Sequence, residues 1–183
     1  MMSPAHTTAF ALAGTACGLA AGTDLAWRRV PNTLTLPLLA AAPLLAAFDG
    51  AHAALIAAGI VAGGLVLGTF VHALGVLGGG DVKLLAGVGA LAGFPACINV
   101  ALYSALCGGV LAIAVSAARG ELGGVVGRMR FGLTGAIAGR SLTAAVAAVD
   151  ARGTRIPYAV AIGAGFAIAM LAQSAIPVLR IVH

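Results

Sequence analysis

From Leu84 to Ala118 the chain runs for 35 residues without one charged side chain. As a single helix this run would reach about 50 Å, well past the ~30 Å of hydrocarbon in a bilayer. Gly93-Phe94-Pro95 supplies a break inside it. Such a run sits badly in a water-soluble domain, and the composition agrees. Hydrophobic residues make up 61% and charged residues 8%, where soluble domains average about 45–50% and about 25%. A disordered chain would need low hydrophobicity and high net charge. A nucleic-acid module would need a dense basic stripe, but the 10 basic residues here are scattered. The pattern points to one all-α, polytopic membrane domain over residues 1–183, with about six transmembrane helices.

The spans follow from the apolar runs. Met1 to Thr8 lacks the basic start of a cleaved signal peptide, so the first run, Thr7 to Thr23, is expected to be a retained span ended by Asp24. Thr33 to Phe48 is the second, with Pro37 and Pro43 inside it. Ala53 to Leu77 is the third. It carries Gly59-x-x-x-Gly63 and Gly64-x-x-x-Gly68, a small-residue spacing suited to helix packing. A short fourth helix is expected over Asp81 to Ala92 and a full span over Pro95 to Ala118. The arginine-rich stretch from Arg119 to Arg155 reads as a cytoplasmic loop with one or two interfacial helices. Pro157 to Ile176 is the last span. With six spans, Arg28, Arg29, Lys83 and the six arginines of the loop share one side, leaving Arg180 opposite. Basic residues mark the cytoplasmic side, so Asp49 and His52 face outward.

The carboxylates are Asp24, Asp49, Asp81, Glu121 and Asp150. Asp49 falls in a turn, and Glu121 and Asp150 stand near arginines. Asp24 and Asp81 both lie at the cytoplasmic boundary, where ionisable groups are expensive and usually functional. Two carboxylates brought together there would share a proton. One would then take a proton from water while its protonated partner polarised a scissile carbonyl. Gly78, Gly79 and Gly80, without side chains, would let a substrate backbone approach. The alternative for each aspartate is an interfacial anchor, or for Asp81 an N-cap.

Gly78-Gly79-Gly80-Asp81-Val82-Lys83 resembles the G-x-G-D signature of type IV prepilin peptidases. Asp24-Leu-Ala-Trp-Arg28-Arg29-Val-Pro31-Asn32 is similar to that family's first aspartate segment, and Arg155-Ile156-Pro157-Tyr158 to the segment opening its last span. The short chain most resembles the minimal branch serving Tad/Flp-type pili. The resemblance implies an aspartic endopeptidase of the bacterial inner membrane. It would remove the basic leader of prepilins or pseudopilins at the cytoplasmic face, with Asp24 and Asp81 as the catalytic pair. Longer members carry an added cytoplasmic segment, often with a cysteine tetrad, beside a methyltransferase activity. The connection between the first two spans is short here and has no cysteine, so the resemblance does not extend to N-methylation.

Other features carry less. Lys83 lies two residues from Asp81, off its helix face, and reads first as an interfacial snorkel. Arg28 and Arg29 read as topology determinants. His72 with the two aspartates makes a poor metal set, and no cofactor is implied. Cys17, Cys97 and Cys107 are isolated, with no C-x-x-C. No phosphate loop follows the glycines. The expected partners are a prepilin-type substrate and the bilayer, without nucleic acid. A reading from another class is a small proton- or cation-coupled transporter using Asp81, since interrupted helices often line transport sites.

Overall fold

A leucine- and alanine-rich chain with glycine and proline at its breaks should form helices joined by short turns. In a computed structural model, which describes residues 4–73, 77–118, 120 and 157–175, it does so, with no strand among the described residues. Six helices follow one another: α1 (Pro4–Trp27), α2 (Asn32–Ala46), α3 (Ala51–Ala73), α4 (Gly79–Ala92), α5 (Ala96–Ala118) and α6 (Tyr158–Ala175). A short 3-10 turn, Ala47–Asp49, links α2 to α3. Among the described residues, four segments are long and apolar enough to cross a membrane: α1, α2 with its 3-10 turn, α3 and α5. The loop expected over 119–155 lies outside the described residues apart from Gly120.

One boundary differs from the sequence map. The first helix does not stop at Asp24 but continues to Trp27, placing Asp24 in its last turn. Nothing between Leu25 and Trp27 interrupts a helix; the stop comes at Arg28. There the backbone turns left-handed, with φ of 52°, and the Arg28 N–H donates to the Asp24 carbonyl at 2.8 Å. This is a helix-ending turn usually made by glycine. The third helix is described as far as Ala73, and residues 74–76 lie outside the described residues. The fourth matches its expected extent closely, from the extended N-cap Gly78 to Gly93 at φ 76°. Asp81 is therefore in its first turn rather than at its cap.

The short helix α4 sits at the centre and packs against the other five. Val82, Leu84 and Ala86 through Leu91 are all buried. Fourteen residues cover about 21 Å, less than the bilayer core. Small residues let its neighbours come close. On α3, Gly64 faces Ala86 and Gly68 faces Val82; on α2, Leu38 lies over Gly87. Gly59 and Gly63 face open space instead, so only the second of the two Gly-x-x-x-Gly pairs meets α4. Helix α6 packs antiparallel to α5 and α1: Gly165 lies against the Ser104 backbone, and Gly163 against Cys17. The outer faces carry Leu19, Leu44, Leu55, Val66, Phe70 and Val110, all exposed. An apolar exterior around an alanine- and glycine-rich interior fits lipid as the surrounding solvent.

Candidate active site

Helix α1 buries Ala13, Ala16, Cys17 and Ala20 on one face. The 3.6-residue period brings Asp24 onto the same face, and it is only 6% exposed. Its carboxylate is partnered: the Ala159 N–H, at the start of α6, donates to Asp24 Oδ2 at 3.0 Å. The first four N–H groups of a helix have no intrahelical acceptor. An anionic side chain there also meets the positive end of the helix dipole.

Asp81 comes to the same place from α4. The negative charge of Asp24 acts on it, and Asp81 in turn acts on Tyr158 in α6. Asp24, Asp81 and the Pro157-Tyr158 segment, spread over 135 residues, thus converge at one end of the bundle. The surroundings of the two carboxylates differ. Asp81 accepts a hydrogen bond from the Gly78 backbone, yet its Oδ1 is buried with no hydrogen-bond partner among the described residues. Asp81 lies outside the four candidate spans. Burial first, and then the charge of Asp24, push its carboxyl up to about 6.

The three glycines divide their tasks. A side chain on Gly78 would reach within 2.6 Å of Asp81 Oδ2. One on Gly80 would stand 2.8 Å from the Val30 carbonyl oxygen, a backbone atom with little freedom to move. Gly79 lies beside the His72 ring at ordinary contact distance. Gly80 therefore serves helix-to-loop packing rather than an open approach, whereas Gly78 and Gly79 are exposed. Lys83 reaches across to the start of α2, where its Nζ donates to Asn32 Oδ1 at 2.8 Å. The snorkel reading missed this bond, which ties the two aspartate segments together. His72 is not turned to the carboxylates as a ligand: its Nδ1 bonds to the Leu77 carbonyl at 2.6 Å. Among the described residues no three His, Cys, Asp or Glu side chains gather as a metal site.

Asp49 lies at the opposite end of the bundle, where His6 Nε2 approaches its Oδ2 at 3.4 Å. The groups that side-chain motifs do not announce are backbone ones, the Ala159 N–H and the Val30 carbonyl. The only signal for the first is Pro157, a residue that suits a helix start.

A model of the type IV leader peptidase family matches residues 11–113, more than half of the chain. The chain belongs to the type IV leader peptidase family. Membership makes the protein a peptidase by family and agrees with its apolar, helical build. The match contains Asp24, Asp81, all three glycines and Lys83, while α6 with its Ala159 amide lies beyond it. No curated protein and no solved structure matches the chain.

Proposed function

We propose that this leader peptidase is an aspartic endopeptidase that removes the basic leader of Flp-type prepilins or pseudopilins. Asp24 and Asp81 are its catalytic pair. The observation that carries this reading is their convergence, close enough for the charge of one to act on the other. Water activated by one carboxylate attacks the scissile carbonyl while the other, protonated, polarises it. Gly78, Gly79 and Gly80 shape the site, and Lys83 locks the Asp81 helix to the start of α2 at Asn32. The site faces the cytoplasm of a bacterial inner membrane, since Arg28, Arg29 and Lys83 lie at its end of the bundle. On this reading α4 and α6 complete six membrane-embedded helices of a single domain, and no cofactor takes part.

The test is coexpression of the chain with a prepilin, followed by leader removal on a gel. Asp24→Asn and Asp81→Asn should each lower processing by about 10²–10⁴-fold, the range of a lost acid or base. Substantial processing by both variants would sink the assignment.

A further inference from the structure

The two carboxylates of the pair are held in different ways, and the difference assigns their roles. This inference rests on reading Asp24 and Asp81 as the peptidase pair. Asp24 Oδ2 already has a donor, the Ala159 N–H at 3.0 Å, and Asp24 is buried. An N–H has no lone pair to accept with, so the proton does not sit on that oxygen, and no Asp24 oxygen is buried without a partner among the described residues. Asp81 also accepts from a backbone group, at Gly78, but its buried Oδ1 has no partner among the described residues. A bare, charged oxygen without a donor is costly in such a place, while a protonated one carries a donor of its own. We propose that the proton of the pair rests on Asp81, making Asp81 the general acid and Asp24, positioned by the first turn of α6, the general base.

The other ionisable groups nearby do not disturb this asymmetry. From α6 comes Tyr158, which feels the charge of Asp81, and from α5 comes Cys107 beside Tyr158. From α3 comes His72, bonded to Leu77. Lys83, on α4 itself, is engaged by Asn32. Helix α2 has no titratable side chain, and Arg28 and Arg29 are exposed in the connection after α1. The upward push on the Asp81 carboxyl, to about 6, agrees with a proton held there in mildly acid solution.

The chemistry then balances. Asp24 takes a proton from water as the water oxygen bonds to the carbonyl carbon. Asp81 gives its proton to the carbonyl oxygen, leaving a tetrahedral diol. The carbon–nitrogen bond breaks as Asp24 passes its proton to the departing amine. A diol hydroxyl returns a proton to Asp81, and the pair regains its starting state. Ala159 is a positioning residue in this scheme, acting through Asp24. It also places part of the working site outside residues 11–113.

The experiment is an infrared titration of the full chain in lipid nanodiscs, following the protonated-carboxyl stretch from pH 5 to 8. A band that titrates near pH 6 should vanish in Asp81→Asn. It should persist in Asp24→Asn, titrating lower because the neighbouring charge is gone. A band lost in Asp24→Asn and kept in Asp81→Asn would reverse the roles, and its absence from the unaltered chain would equally overturn the proposal. The readout needs no substrate. A wild-type chain that fails to cleave prepilin therefore defeats the peptidase reading, whereas a misplaced band defeats only the role assignment. A kinetic arm examines α6. Ala159→Pro removes the N–H at a helix position that accepts proline, and should lower kcat by about tenfold with KM held. Ala159→Gly keeps the donor and should recover most of the lost kcat. Equal kcat in the two variants would overturn the positioning role.

Discussion

Asp81 and Asp49 show how much placement decides for a carboxylate. Asp49, beside His6 at the far end, has no part in the proposed chemistry, and Asp49→Asn should leave leader cleavage near wild type in the gel assay. Asp81 carries a pH signature. If it must be protonated in the free enzyme, kcat/KM falls as pH rises through about 6. A kcat/KM that stays flat from pH 5 to 8 would contradict this. The Lys83–Asn32 bond lends itself to a double-mutant cycle. Lys83→Met and Asn32→Ala should each reduce cleavage, and the double variant should fall no further than the worse single one. Additive losses would show that the bond does no joint work. Ser104 offers a test of packing alone. Its hydroxyl is fully buried without a partner, so Ser104→Ala should stabilise the protein by about 1 kcal/mol, read as a higher unfolding midpoint in detergent. At this scale the sequence was partly legible. Asp24 and Asp81 stood out because charges are so scarce. The Ala159 amide did not, because every residue except proline carries one and only the fold gives it an address.

Among the helices, the glycines separate positions that look alike in sequence. Gly63 and Gly64 are neighbours, yet a side chain on Gly63 meets nothing, whereas one on Gly64 meets Ala86 at 3.0 Å. Gly63→Ala should therefore be neutral or stabilising by up to about 1 kcal/mol. Gly64→Leu should force α3 away from α4 and lower the unfolding midpoint. Equal midpoints for the two variants would contradict the packing described. Spacing alone named both Gly-x-x-x-Gly pairs, because it gives helix period but not which face meets a partner. Helix ends were similarly mixed. Glycine marked the start and stop of α4 well, while α1 ended at Arg28, a residue with no breaker signal whose backbone is left-handed.

For the whole molecule, the charge-free runs foretold an all-helical, apolar chain. They did not reveal that α4, the shortest of the described α-helices, would be the one that all the other described α-helices touch. The arrangement has two poles. One holds Asp24, Asp81 and the Lys83–Asn32 bond, the other His6 and Asp49. Cysteines placed singly at Arg29 and His52 should therefore label from opposite sides of sealed vesicles. Labelling of both from one side would contradict the arrangement proposed.

The hydrogen bond between Ala159 and Asp24 also sets a clock on biogenesis. Its two ends are 135 residues apart in the chain. A ribosome adding about 5–20 residues each second leaves Asp24 in the membrane for several seconds before its partner amide exists. From the synthesis of Asp81 until that of Ala159, both motif aspartates are made but the hydrogen bond cannot yet form. If Asp24 works as proposed, the peptidase site is complete only once α6 has docked, so a half-built chain would spare the other nascent membrane chains around it.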